Sequence, residues 1–336
     1  MLTDARSARG MRERGRMIDT LASGPSAGRS SARRTESARS PHVAPSAQRV
    51  ANVEMLRLRN GRTVAVRCWG GAGLPVVLVH GLLDSSAGWD DVCAAVRFPC
   101  FAFDVPGFGS SDGPDRGSIE GYARDLEEAL ELLGVGRFVL AGHSLGGAIA
   151  TALAEALPDR VAALVLLAPT GFGRTRLAEA VSLPGARHLT QALLPFALTN
   201  RIAVRAAYVA VVSNGVAPEA GVVERVLEGG ARLAPGVRAA ARAVAEAGRS
   251  QTAFHRRRVA YRGPVLVAWG ERDRLVPASH RYAVQCSLPQ AELQLWRGMG
   301  HHVQPARHDD LVTLINRAAA ASVNASRRAL AAAPMA

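Results

Sequence analysis

An open, mostly parallel, doubly wound α/β sheet interrupted by one helical insertion is the architecture that the sequence predicts. Three observations point to it. Short, uninterrupted apolar runs such as Val76–Val79 suit strands covered on both faces. Segments of 3.6-residue apolar periodicity lie between those runs. This alternation then breaks between Gly171 and Gly263, where almost every segment reads as helix.

Val53–Leu58 and Thr63–Cys68 alternate in polarity around Asn60-Gly61, the signature of a β-hairpin. Further strands are predicted at Val76–Val79, Phe98–Phe103, Phe138–Ala141, Ala163–Leu167, Val265–Trp269 and Glu292–Trp296. Tyr122, Leu126, Ala129, Leu130 and Leu133 share one helical face that ends at Gly134, and Leu145–Leu157 is a helix stopped by Pro158. Helices are expected in the insertion at Leu177–Leu183, Leu189–Leu198, Arg201–Val212, Val222–Ala231 and Gly236–Ala247. The Ala-rich end is expected to fray after Ala318.

The chain has 336 residues, 48% of them hydrophobic and 21% charged, in the range of globular proteins. All 41 basic residues are Arg. The absence of Lys excludes a Schiff-base or PLP lysine, a lipoyl-lysine arm and a P-loop nucleotide site within this sequence. A net charge of +13 built on Arg alone, with abundant Ala and Gly, fits a GC-rich coding sequence better than a nucleic-acid partner. Residues 1–49 hold ten Arg against Asp4, Glu13, Asp19 and Glu36 and few large apolar side chains, so they read as a disordered tail. No apolar leader core, membrane-length apolar run, C-x-x-C pair or metal-like His spacing occurs. A cytoplasmic protein with reduced Cys68, Cys93, Cys100 and Cys286, no metal and no cofactor is therefore expected.

The sharpest local feature is Gly142-His143-Ser144-Leu145-Gly146, directly after one strand and opening a helix. This G-x-S-x-G turn is tight enough to demand Gly at its flanks and leaves the Ser hydroxyl at the carboxyl edge of the sheet. Serine is a weak nucleophile, requiring a base and a carboxylate that orients that base. Both types follow downstream, each after a predicted strand: Asp273 in Gly270-Glu271-Arg272-Asp273 and His301 in Gly300-His301-His302. Glu271 and His302 are the neighbouring alternatives. Upstream, His80-Gly81-Leu82 follows Val76–Val79, where the amide of Leu82 with that of Leu145 could bind an oxyanion.

Taken in order, His80-Gly81 with Trp89, Asp104–Asp112, Gly142–Gly147, Trp269–Asp273 and Gly300-His301 resemble the α/β-hydrolase superfamily. The resemblance spans roughly Val53 to Arg317 and implies an α/β-hydrolase fold. It implies Ser144 as nucleophile, Asp273 as acid, His301 as base, and Leu82 and Leu145 as oxyanion donors. Domain boundaries follow: tail 1–49, first core part 50–170, helical cap 171–262, second core part 263–322 and terminal tail 323–336. The family often carries an acidic residue shortly after its His; Ala306 stands there instead. His80 and His143 read as hydrogen-bonding residues around the site, His302 as a neighbouring or surface imidazole, and Asp104 as the organiser of the Pro106–Gly109 turn.

The cap's inner face is expected to be aliphatic, with Leu194, Leu198, Ile202 and Val209 among its residues. Leu83, His143, Phe172 and Val276 are assigned to the substrate pocket. A small, mainly apolar acyl substrate suits such a lining, and a carboxylic ester hydrolase, or an enzyme acting on a thioester or amide, is the leading function. An acyltransferase with a non-water acceptor is the alternative, since Leu166–Gly173 also resembles the hydrolase-like domain of some 2-oxoacid dehydrogenase acyltransferases. A catalytically inactive binding protein is the other. No transmembrane segment and no specific nucleic-acid partner are expected.

Overall fold

A computed structural model of the chain describes residues 49–113, 117–175, 179, 199–213, 215, 221–233, 250–304 and 307–332. Among them, eight strands form one sheet: β1 (Asn52–Arg57), β2 (Thr63–Trp69), β3 (Val76–Val79), β4 (Cys100–Phe103), β5 (Phe138–His143), β6 (Val161–Leu167), β7 (Val265–Gly270) and β8 (Ala291–Trp296). Their spatial order is β1-β2-β4-β3-β5-β6-β7-β8. The β1–β2 hairpin and the β2–β4 pair are antiparallel, and every other pair is parallel.

Alternation along β3 explains its unbroken apolar run. Val77 and Val79 face a core cluster with α2 (Ile119–Leu132) and α3 (Leu145–Ala156), contributed by Leu126, Leu130, Ile149 and Leu153. Val76 and Leu78 face the opposite cluster, with Val92 and Cys93 of α1 (Asp90–Ala95) and Leu311, Leu314 and Ile315 of the long C-terminal helix. Apolar matter covers both faces, so no position in β3 can be polar. Ser118 caps α2 by accepting the Gly121 amide at 3.0 Å, and Gly134, at φ +64°, follows its end.

Between β6 and β7 lie α4 (Arg201–Ala207), capped by Asn200, and α5 (Val222–Leu233). α4 continues into a π-helical turn, Tyr208–Val212, closed by the Ser213 amide on the Tyr208 carbonyl at 2.9 Å. Val204 of α4 and Tyr208 of the turn that continues it are buried, one helical turn apart, so Ile202 falls on the other side and is 80% exposed. The expected inward placement of Ile202 is thereby corrected. The helices predicted at 177–183, 189–198 and 236–247 lie outside the described residues, Glu179 excepted, as does the tail up to residue 48.

The last two helices are α6 (Arg281–Ser287) and α7 (His308–Ala332). α7 runs well past Ala318, beyond the fraying expected from sequence, in keeping with the high helix propensity of its Ala-rich stretch.

Chain order reverses across β3 and β5: from β3 the chain passes to β4 on one side, and from β5 to β6 on the other. Loops leaving the carboxyl ends of these two strands therefore diverge and open a crevice, the usual ligand position in such sheets. The loop His80–Asp84 and the turn at Ser144 occupy those two places.

Candidate active site

Ser144 sits between β5 and α3 with φ 54° and ψ −117°, a conformation disfavoured for any residue carrying a Cβ. Glycines make the turn possible. A Cβ on Gly142 would lie 2.3 Å from the Gly146 carbonyl oxygen, and one on Gly146 would lie 2.3 Å from the Val79 carbonyl oxygen. β5, the start of α3 and the end of β3 are thus in backbone contact, and Ser144 is driven to the surface of the turn, where it remains 6% exposed. The Ser144 amide donates to the Leu167 carbonyl at 2.9 Å, and its carbonyl accepts from Gly147 and Thr170 at 3.0 and 3.1 Å. The first amides of α3 have no acceptor within the helix and point towards its start, a position favourable to negative charge.

The loop after β3 lies against this turn: a Cβ on Gly81 would stand 3.1 Å from the Ser144 Cβ. His80 is fixed by two bonds, its Nδ1–H to the Gly81 carbonyl at 2.7 Å and its Nε2 accepting the Val105 amide at 2.9 Å. Both ring nitrogens are occupied, so His80 shapes the loop. Asp104 accepts the Ser86 and Ser110 amides, each at 2.7 Å, and so holds the Pro106–Gly109 turn, as expected.

On the far side, Asp273 follows β7 and His301 follows β8. His301 Nδ1 and Asp273 Oδ2 are 2.7 Å apart and both side chains are buried. The other carboxylate oxygen accepts the amides of Leu275 and Val276 at 2.9 and 2.8 Å. A carboxylate so satisfied keeps the ring proton on Nδ1 and leaves Nε2 as a proton acceptor. His143, the residue before Ser144, links the two halves: its Nε2–H donates to the His301 carbonyl at 3.0 Å, and the two rings are 4.8 Å apart. Burial first, then His301 and His302, hold the His143 imidazole well below its usual range, so it stays neutral.

Ser144, His143, His301, Asp273 and the Gly81–Leu83 loop come together around the crevice. Leu145 is buried at the start of α3, and Leu82 and Leu83 are half-buried, with Leu83 in the left-handed region at φ 61°. Phe172 is fully buried with its ring 5.3 Å from that of Phe254, and Val276 is buried in the same apolar cluster as Leu145, next to the site through its amide on Asp273. Glu271 is exposed and accepts the Gly298 amide at 3.0 Å, apart from His301. Among the described residues no group of His, Cys, Asp or Glu is arranged to hold a metal, and no helix is long and apolar enough to cross a membrane.

A buried polar cluster beside the site escaped the sequence reading. His302 is buried, correcting its possible surface placement, with its ring 5.6 Å from that of His143. The Tyr208 hydroxyl lies 2.7 Å from His302 Nδ1, while His302 Nε2 is 3.7 Å from Asp84 Oδ2. Arg225 donates from Nε to Asp84 Oδ1 at 3.0 Å. Burial, the largest influence, with Arg225 and His301 adding to it, pushes His302 down to about 4, outweighing the opposite pull of Asp84. His302 is then neutral at pH 7, and Arg225 is the cation that faces Asp84. The available signal was Arg225 itself, three residues after the buried Val222 on the same face of α5.

Sheet order, switch-point crevice and flanking helices are those of the α/β hydrolases. The chain belongs to this family: the family model for the alpha/beta hydrolase fold matches residues 75–306. An uncharacterised protein of Mycobacterium tuberculosis is 32% identical over 261 residues, covering 72% of this chain and 75% of the relative. The dihydrolipoyllysine-residue acetyltransferase component of the acetoin cleaving system of Pseudomonas putida is 32% identical over 241 residues, 70% of this chain and 60% of that protein. Among solved structures, a thermophilic esterase from Thermogutta terrifontis superposes with a TM-score of 0.63 at 23% identity, over 81% of this chain and 97% of the esterase. At that identity the likeness is one of fold.

Proposed function

We propose that this protein is a serine hydrolase that cleaves a small, mainly apolar carboxylic ester, or the related thioester or amide, through an acyl-enzyme on Ser144. The reading rests above all on the buried His301–Asp273 pair at 2.7 Å, aligned beyond the same sheet edge as the strained Ser144 turn. Ser144 Oγ adds to the substrate carbonyl as His301 Nε2 takes its proton; the Leu82 and Leu145 amides hold the resulting oxyanion. His301 returns the proton to the leaving alcohol, thiol or amine as the carbonyl re-forms on Ser144. Water then repeats the sequence, releasing the carboxylic acid and free Ser144. Asp273 keeps its charge throughout and stabilises the imidazolium that forms twice per turnover.

In this reading residues 171–262 are a cap over the site, Leu82 and Leu83 line its floor, and Phe172 and Val276 support that floor from the core. The four free cysteines suit a cytoplasmic setting. A second reading, acyl transfer to an acceptor other than water, is favoured by the 32% identity to the Pseudomonas putida acetyltransferase component. The first half-reaction is the same, and only the second nucleophile differs.

The test uses wild type and Ser144→Ala with a p-nitrophenyl acyl ester series and a fluorophosphonate label. Wild-type turnover lost in the variant supports the hydrolase and ranks acyl lengths. Labelling without turnover favours acyl transfer. Neither labelling nor turnover by wild type overturns both readings.

A further inference from the structure

The segment between β6 and β7 grips the candidate site at four points. The Val212 carbonyl in the π-helical turn accepts the His301 amide at 2.7 Å, and Arg274, next to Asp273, donates from Nη1 to the Ala210 carbonyl at 3.1 Å. Tyr208 meets His302, and Arg225 meets Asp84. Three of these contacts reach the loops after β7 and β8. The fourth reaches the loop after β3, on the other side of Ser144.

That fourth contact differs in kind. Asp84 closes the turn that carries Leu82: its amide approaches the Gly81 carbonyl at 3.4 Å, and Leu83 between them is in the left-handed region at φ 61°. A leucine pays steric energy for that conformation and relaxes unless its neighbours are held. Gly81 is held by His80 and by the Ser144 turn. Asp84 is held by Arg225, with side-chain exposures of only 13% and 18%. A charge pair this shielded is strongly coupled to its geometry, because separating it leaves a largely desolvated carboxylate without its cation. Gly88 shows the tightness of the fit from behind, since a Cβ there would stand 2.7 Å from Asp84 Oδ2.

On the reading of Leu82 as an oxyanion donor, we propose that Asp84 and Arg225 are a positioning pair whose ion pair pins the Gly81–Asp84 turn and so keeps the Leu82 amide aimed at the Ser144 site. The pair touches no reacting atom; it acts through the turn. It also makes α5, an element outside the sheet, responsible for one of the two oxyanion donors, while α3 supplies the other from within the core. His302, bonded to Tyr208 through Nδ1, stands beside the same carboxylate, its Nε2 3.7 Å from the second Asp84 oxygen and outside hydrogen-bond reach.

The experiment measures kcat and KM of the full chain with a p-nitrophenyl ester that wild type turns over, for Asp84→Asn, Arg225→Gln, the double variant and Arg225→Lys, alongside Ser144→Ala and thermal melts. An oxyanion donor acts only in the transition state, so its displacement lowers kcat and spares KM. Each single neutral variant is expected to lose about 10- to 100-fold in kcat with KM within about threefold. The double variant should be no worse than the poorer single one, and Arg225→Lys should recover most of the rate. Should Arg225→Gln not fold, Asp84→Asn decides by the same criterion, as it retains the shape and leaves no unpaired carboxylate. A kcat within about twofold of wild type in folded Asp84→Asn, losses that multiply in the double variant, or a change confined to KM overturns the pair. With turnover abolished in Ser144→Ala, such a result overturns the pair alone; turnover that survives in Ser144→Ala overturns the underlying reading of the site, and the pair with it.

Discussion

Asp273 divides its two carboxylate oxygens between unlike partners: Oδ2 faces His301 Nδ1 at 2.7 Å, while Oδ1 accepts two backbone amides, from Leu275 and Val276. The division makes the consequence of Asp273→Asn specific. The two amides require an oxygen at Oδ1, so the Asn NH₂ must point at His301 and donate to Nδ1. The ring then carries its own proton on Nε2, the atom that in the proposed mechanism must accept one from Ser144. A kcat loss of about 10³- to 10⁴-fold is expected, with little change in melting temperature because the amide is isosteric. Steady-state kinetics and ¹⁵N spectra of the imidazole check both parts.

Backbone contact at the Ser144 turn sets a second expectation. An alanine at Gly142 or Gly146 places its Cβ 2.3 Å from a carbonyl oxygen, with only backbone able to yield. Either substitution should cost at least about 1–3 kcal/mol and lower soluble yield. Gly136→Ala, where a Cβ meets nothing within 4 Å, is the control and should unfold in denaturant much as wild type does.

His302 links stability to pH. Burial lowers it from 6.5 to about 4, so the folded state prefers the neutral ring. Between these values the unfolded chain binds the proton more readily, and stability falls as pH drops from about 6.5 towards 4. A shift of that size corresponds to about 3 kcal/mol, or roughly 5–10 °C in melting temperature. His302→Gln should flatten the melting curve against pH over that window by about this amount. A residual slope of the same sign remains from His143, also held below its usual range by burial.

Thiol chemistry should discriminate among the cysteines. Cys286 is exposed, Cys68 is half-buried with its thiol pushed up to about 12 by burial and by Glu54, and Cys93 is buried with its thiol raised well above normal. Cys100 is fully buried. Thiolates alkylate, thiols do not. Brief iodoacetamide treatment at pH 8 should modify Cys286 ahead of the other three, read by peptide mass spectrometry; equal labelling of Cys93 would contradict its burial.

The strands and the elements flanking Ser144 were legible because their signals are local. Doubly covered strands such as β3 must be apolar at every position, and the G-x-S-x-G turn admits only Gly where β5, α3 and β3 touch. Asp273 and His301 each stand after a predicted strand, and that placement made their approach to 2.7 Å readable, whatever their role. The contacts of Arg225, Tyr208 and His302 were harder to read, because their partners lie far along the chain and only the place of Arg225 on the buried face of α5 hints at its pairing. α7 outran its expected end within an Ala-rich stretch of high helix propensity.

The Val212 carbonyl that receives the His301 amide has a kinetic meaning. Two stretches that meet in this bond are separated in the chain by α5, β7, α6 and β8, and neither can complete the other until both have folded. Refolding should therefore restore the sheet before it restores a correctly seated His301, so that native-like secondary structure precedes fluorophosphonate reactivity in time. The order in which the chain recovers shape and reactivity after dilution from denaturant would record how late this closing bond forms.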